Sequence, residues 1–291
     1  MHIDQEIAAR LIAEQFDDLR GLAVNRLASA GTVNALFRVG DKLVARFPFD
    51  PVPAEELQQE AEAMAEFAAA NPFRSSKPVG VAAPTERHAS AWSLQTWVDG
   101  TPATHDAFED SETLVDDVVA LIAALRAVPV GARSFDGRGR GGDLRDHDEW
   151  MRECFARSGD LLDVARARGL WERLRELGAS DAVSMSHRDL TPPNLLVEGG
   201  RLAGVLDSGS FGPADRALDL VAAWHLFDAR RRARLRSALE VDDREWLRGA
   251  AWSLQQAMGL GWYYAESNPT MSALGLSTMR RLLEDPELTT A

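Results

Sequence analysis

Apolar positions recur along the chain with two periods. Between Asp4 and Phe16, Ile7, Leu11, Ile12 and Phe16 fall at helical spacing and predict an opening helix. LAVNRLASAGTVNALFRVGDKLVARFPF then reads as three short strands, with Gly31 in the first turn and Gly40-Asp41 as a two-residue hairpin signal. Ala54 to Ala70 is rich in Glu, Gln and Ala and places Leu57, Ala61, Met64 and Phe67 on one helical face. WSLQTWV, Trp92 to Val98, has strand propensity and runs into the turn Asp99-Gly100. Beyond Gly100 helices dominate. Leu114, Val118, Leu121, Ile122 and Leu125 form one stripe, FDGRGRGGDLRDHDEW interrupts as a loop, and helical segments resume up to Gly178. VSMSH, NLLVE and RLAGVLD read as strands, the last two joined at Gly199-Gly200, and helices follow from Asp215, including one carrying Trp246, Trp252 and Trp262. The pattern predicts an α+β chain in two lobes. Residues 1–97 form a small antiparallel sheet with one key helix, and residues 98–291 a larger, mainly helical lobe. A short connector near Gln95 to Gly100 and a cleft between the lobes are expected.

Composition narrows the classes. At 291 residues, 45% apolar and 26% charged, the chain is an ordinary globular sequence with no internal repeat. No run approaches the roughly eighteen apolar residues of a membrane span, and MHIDQEIAAR has no basic-then-apolar leader, so the cytoplasm is the expected location. Cys154 is the single cysteine, which excludes an internal disulfide and any multi-cysteine metal site. A net charge of -13 argues against nucleic acid as partner and is compatible with a cationic small ligand.

The candidate chemistry lies in SHRDLTPPNLLVEGGRLAGVLDSGSFGPADRALDLVAAW. Phosphoryl transfer needs a carboxylate to orient the attacking hydroxyl, oxygen ligands for Mg²⁺, a cation on the nucleotide phosphates and a backbone-lined turn over them. His187-Arg188-Asp189-Leu190 with Asn194 matches the kinase catalytic-loop spacing H-R-D-L-x-x-x-N. Asp189 is the candidate base, and Asn194 and Asp207 are the candidate Mg²⁺ ligands, hard oxygen donors of the kind this ion takes. In the first lobe Arg46, on the third strand, is the candidate phosphate cation, and Glu60 its acidic partner, with Glu62 and Glu66 as competitors. Gly31 and Thr32, beside Asn34, are candidates for the phosphate-covering turn; Gln95, Trp97 and Val98 are candidates for the segment that meets the purine.

On these residues the chain resembles the aminoglycoside/macrolide phosphotransferases, antibiotic kinases with a protein-kinase-like fold. The likeness extends over SAGTVNALFRVGDKLVARFP, WSLQTWVDG, GRGGDLRDHDEW and HRDLTPPNLLVEGGRLAGVLDSGSFGPADRALDLVAAW. It implies an ATP- or GTP-dependent O-phosphotransferase with the base at Asp189 and Mg²⁺ at Asn194 and Asp207. It also implies that Asp219 braces the catalytic loop and that His187 helps to hold it. The chain departs from the family pattern at Arg188, where Gly is frequent, at Thr191 and Pro193, at Arg46, where Lys is common, and at Ser208, where an aromatic residue is usual.

Two enzymatic readings follow, a kinase acting on an aminoglycoside-like or macrolide hydroxyl and a kinase of a small metabolite such as a sugar, an amino alcohol or a choline-like compound. A third is a non-catalytic binding protein, against which the full set of base and metal ligands argues. Asp228, Glu266, Trp224, Trp262 and Tyr263 are candidates for an acceptor pocket.

Overall fold

The computed structural model describes residues 3–27, 33–86 and 88–289. The chain divides into two compact units, the first formed by Met1–Ala69, Arg74–Asp99 and Leu206–Ser210, the second by Ala70–Phe73, Gly100–Val205 and Phe211–Ala291.

In the first unit, helix α1 (Gln5–Gln15) starts where the Asp4 carboxylate accepts the Ile7 N–H at 2.8 Å. Strands β1 (Val24–Arg26), β2 (Asn34–Val39) and β3 (Leu43–Pro48) form an antiparallel run, followed by helix α2 (Ala54–Ala70). The short β4 (Arg74–Ser75), β5 (Pro78–Ala82) and β6 (Trp92–Thr96) complete this part of the chain, and the sheet order is β1-β2-β3-β6-β5. Strand alternation sends Phe37, Val39, Ala45 and Phe47 to one face, where they meet Ala8, Leu11 and Ile12 of α1 and Trp92 and Leu94 of β6. Phe47 stacks on Trp92 with centroids 4.7 Å apart. Strand β5 escaped the periodicity because it holds Pro78 and Gly80, residues that strands admit at edges and irregularities. The edge register shifts between these two, and a Cβ on Gly80 would stand 2.7 Å from the Phe16 ring.

In the second unit β7 (Thr101–Pro102) precedes helices α3 (Glu112–Arg126), α4 (Asp148–Arg157) and α5 (Val164–Leu174). Strand β8 (Val183–Ser186) pairs with β11 (Gly212–Asp215), and the hairpin β9 (Leu195–Glu198)–β10 (Arg201–Val205) turns through Gly199 and Gly200, both at positive φ. Helices α6 (Val221–Leu226), α7 (Ala229–Ala238), α8 (Asp243–Tyr263), α9 (Pro269–Glu284) and α10 (Pro286–Thr289) close the chain. Helices α8 and α9 approach closely because Gly275 has no side chain; a Cβ there would lie 2.7 Å from Leu260 Cβ. Cys154 is buried on α4, and burial pushes its thiol up to about 11. Among the described residues no helix is long and apolar enough to cross a membrane.

A buried ion pair ties the distant pieces of this unit together. Asp215 and Arg248 are each 2% exposed, with Arg248 Nε and Nη2 donating to one Asp215 oxygen at 2.8 and 2.6 Å and Trp252 Nε1 at 2.6 Å. Arg248 also donates to the carbonyls of Gly178 and Gly142, and Asp215 N–H to that of Gly141. Removing one member strands the other's charge in the interior, which costs several kcal/mol. Arg248→Met is therefore expected to lower the free energy of unfolding by about 3 kcal/mol or more, read by urea denaturation; a loss below about 1 kcal/mol would show that the pair is not what anchors these segments.

Candidate active site

The segment carrying the candidate base leaves β8 at Ser186 and enters β9, a strand of a different sheet, at Leu195. Between them one carboxylate organises the backbone. Asp219, 3% exposed, accepts the Ser186 hydroxyl at 2.8 Å, the His187 N–H at 2.9 Å and the Arg188 N–H at 3.2 Å. All three donors come from the segment Ser186–Arg188. His187 is fully buried, and its Nδ1 accepts the Asp189 N–H at 3.3 Å.

Arg188 has φ of 71°, the left-handed region in which a β-carbon is disfavoured by about 1 kcal/mol. Its side chain offsets that cost. Nη1 reaches both oxygens of Asp136 at 3.1 Å, Nη2 donates to the Pro213 carbonyl at 2.7 Å, and the guanidinium lies over the Phe135 ring at 5.2 Å. The departure from glycine thus replaces backbone freedom with a side-chain anchor.

Asp189 sits at the centre of a donor set. Arg140 Nη2 and Gln256 Nε2 both donate to its Oδ1, at 2.8 and 2.7 Å, while Asn194 Nδ2 donates to its Oδ2 at 3.1 Å and to its carbonyl at 2.9 Å. A carboxylate has roughly two acceptor positions on each oxygen. Oδ1 is therefore filled, and Oδ2 retains one position beside Asn194. Because Asn194 turns its nitrogen to Asp189, its amide oxygen is the donor it can offer a hard cation. Arg140 comes from the glycine-rich loop, in which Gly137, Gly139 and Gly141 all have positive φ. Behind Gln256 stands His225, fully buried, with Nε2 3.0 Å from Gln256 Oε1 and Nδ1 2.8 Å from Thr278 Oγ1. Burial, reinforced by the charges of Arg140 and Arg281, pulls the His225 imidazole down to about 4. Sequence reasoning missed Arg140 and Gln256. The alternating Gly-Arg run hinted at the first, and nothing in the helical pattern singles out the second.

The first unit gathers the remaining charged candidates. Arg46 Nη2 lies 3.1 Å from Asp207 Oδ1, so the strand cation pairs with the candidate metal ligand. Asp207 has φ of 57°, and about half of its side chain is exposed. Glu60 lies beside this pair; burial raises its carboxyl above the usual range, opposed by Arg46 and aided by Asp207 and Glu56. The run after Asp207 passes against α2, where a Cβ on Gly209 would come within 3.3 Å of Glu60 Cβ. Glu62 is exposed. Gly31 and Thr32 lie outside the described residues. Gln95 is buried within β6, and the Trp97 N–H donates to the Lys42 carbonyl at 2.7 Å, while the Trp97 ring carries Arg38 at 3.9 Å and donates to Asp99. The amide of Trp97 is thus spent inside the sheet unit, and buried Val98 follows it.

The acceptor-pocket candidates separate. Asp228 caps α7 by accepting the Arg231 N–H at 2.8 Å, and Trp224 is fully buried under the Arg232 guanidinium. Trp262 packs on Trp150, whereas Tyr263 and Glu266 are exposed.

Comparison with known proteins gives the family. Residues 25–252 match the phosphotransferase enzyme family, and the chain belongs to it. A 143-residue stretch is 28% identical to an aminoglycoside 3'-phosphotransferase of Escherichia coli, covering 46% of this chain and 52% of that protein; a Salmonella typhimurium relative of the same description matches equally. The chain thus spans about half the length of the curated relatives it matches. Among solved structures it shares the fold of aminoglycoside 2'-phosphotransferase-IIIa in its GDP complex, with a TM-score of 0.70 at 17% identity over 97% of this chain and 99% of that one. Macrolide 2'-phosphotransferase MphH from Brachybacterium faecium aligns at a TM-score of 0.60 and 19% identity, over 94% and 98%.

Two outcomes follow from the loop and its backing. Arg188→Ala keeps the backbone strain and loses the anchor, whereas Arg188→Gly loses both, so the Gly variant is expected to be the more stable by about 1 kcal/mol in denaturant titrations. The opposite order would remove the strain argument. His225, neutral in the native state, refuses the proton that the unfolded chain takes up below about 6.5. Its contribution is complete above that pH and is lost as pH falls towards 4, amounting to about 2 kcal/mol at pH 5. The stability difference between pH 7 and pH 5 should shrink by that amount in His225→Gln; equal differences in the two proteins would contradict it.

Proposed function

We propose that the protein is a Mg²⁺-dependent O-phosphotransferase that moves the γ-phosphoryl group of ATP or GTP to a hydroxyl of an aminoglycoside-like or macrolide antibiotic in the cytoplasm. The observation that carries this reading is the donor set of Asp189, which leaves one acceptor position on Oδ2 for an incoming hydroxyl. In the reaction the acceptor O–H proton passes to Asp189 as the new O–P bond forms, the bond from the γ-phosphorus to its bridging oxygen breaks, and the nucleoside diphosphate leaves. Asn194 and Asp207 would hold Mg²⁺, which neutralises charge on the phosphates when bound. Both present hard oxygens, and Asp207 is half exposed and available to an ion. Arg46, now paired with Asp207, is the cation for the nucleotide phosphates, with Glu60 as its neighbouring carboxylate. On this reading residues 1–97 supply the nucleotide-binding lobe, with Gly31, Thr32, Gln95, Trp97 and Val98 along the nucleotide, and residues 98–291 the catalytic and acceptor-binding lobe.

The relatives' descriptions support an antibiotic acceptor, since they are aminoglycoside and macrolide phosphotransferases. One observation favours a second reading within the same chemistry. Arg140 places a guanidinium on Asp189, where an acceptor ammonium group would meet like charge. A hydroxyl without a neighbouring cation, as on a macrolide or a neutral metabolite alcohol, fits that setting better.

Purified protein screened with ATP and GTP separately, against aminoglycosides, macrolides and metabolite alcohols, tests these readings. Turnover that depends on an antibiotic is expected. Asp189→Ala should lower kcat by about 10²- to 10⁴-fold while nucleotide binding persists, and Asp207→Ala should weaken Mg²⁺-nucleotide binding itself. Full activity in Asp189→Ala would overturn the assignment of the base, and turnover on a metabolite alone would move the protein to that acceptor class.

A further inference from the structure

The inference concerns the groups behind Asp189, and it rests on the reading of that residue as the base. Gln256 lies on α8, His225 on α6 and Thr278 on α9; they are 8%, 0% and 0% exposed. Their contacts run in one line from Thr278 Oγ1 to His225 Nδ1, from His225 Nε2 to Gln256 Oε1, and from Gln256 Nε2 to Asp189 Oδ1.

The hydrogens along this line are determined by its end. Asp189 Oδ1 faces the Arg140 guanidinium and accepts, so Gln256 must point its NH₂ group at it and its Oε1 at His225. An amide oxygen only accepts, which makes His225 Nε2 the protonated nitrogen. The ring is neutral in this dry setting, so Nδ1 is bare and faces the Thr278 hydroxyl at 2.8 Å. That hydroxyl also lies 2.9 Å from the Leu274 carbonyl, and its single hydrogen serves one of the two. With the opposite tautomer, two acceptors would face each other across 3.0 Å. A rotated amide would only move that clash to Asp189.

We propose that Gln256, oriented by His225 and Thr278, is a positioning residue for phosphoryl transfer: it fills Oδ1 of Asp189 and reserves Oδ2 for the acceptor hydroxyl. The relay gives the carboxylate a fixed rotation from its buried side. Arg140 holds the same oxygen from the glycine-rich loop.

The test has two arms on the full chain. Long-range nitrogen–proton correlation spectra of histidine-labelled protein, without nucleotide, should show His225 neutral and protonated at Nε2 at pH 7. A ring protonated at Nδ1, or a charged one, overturns the relay whether or not an acceptor has been found. In the second arm Gln256→Leu, similar in volume but without a donor, is compared with wild type on the acceptor found by screening. The expected result is a fall in kcat of about 10- to 100-fold with the KM for nucleotide unchanged, while Gln256→Glu, which meets Asp189 with like charge, falls further. An unchanged kcat in Gln256→Leu overturns the positioning role. If the Leu variant fails to fold, Gln256→Met, equally without a donor, serves in its place, and an unchanged kcat there would equally overturn the positioning role. Absence of turnover in wild type on every acceptor counts against the kinase reading, and the spectra then decide the relay separately.

Discussion

A carboxylate with 3% exposure, Asp219, is the constraint on which the candidate site depends. Two successive amides and a hydroxyl converge on it, and a buried anion is tolerable only when such donors surround it. The satisfied charge in turn dictates the path of the chain from Ser186 to Asp189. Remove the acceptor and the His187 and Arg188 amides lose this carboxylate, leaving the Arg188 amide with the Ser186 hydroxyl at 3.1 Å and its side chain with the Asp136 and Pro213 anchor. Asp189 is directed towards its donors because of what happens two residues earlier.

What could be read in the sequence followed from how local each signal was. The helix 54–70 and the strands around Gly40-Asp41 and Gly199-Gly200 follow from period and turn chemistry, both contained in short windows. The candidate site segment stood out for the same reason, since His187, Asp189 and Asn194 fall within eight residues and Asp207 follows the next hairpin. Strands β5 and β11 were not, because Pro78, Gly80, Gly212 and Pro213 hide strands that only their partners stabilise. Arg140 and Gln256 stand 49 and 67 residues from Asp189, and only the fold brings them to it. The chosen partner of Arg46 was likewise a tertiary matter, with Asp207 meeting it 161 residues away.

Net charge proved a poor guide to local electrostatics. The chain carries -13, yet the groups touching Asp189 are a guanidinium and two amides. The surplus carboxylates lie elsewhere, many paired with arginine as in Asp116–Arg234 and Asp143–Arg145. Exposed pairs of this kind contribute little stability. The pairs that matter to the architecture are buried, as at Asp215–Arg248 and Arg232–Asp285.

The arginine at position 188 carries a consequence for how the molecule opens. Its anchor on Asp136 and Pro213 fastens the catalytic loop to the segment that runs on to Arg140, and Gly141 and Gly142 fasten that segment in turn to Asp215 and Arg248. These stretches therefore form one cooperative block, in which local unfolding of one member releases the next. A glycine at 188 would let the loop breathe by itself. With arginine there, the stretch from Ser186 to Asp189 opens only together with its partners at Asp136 and Pro213.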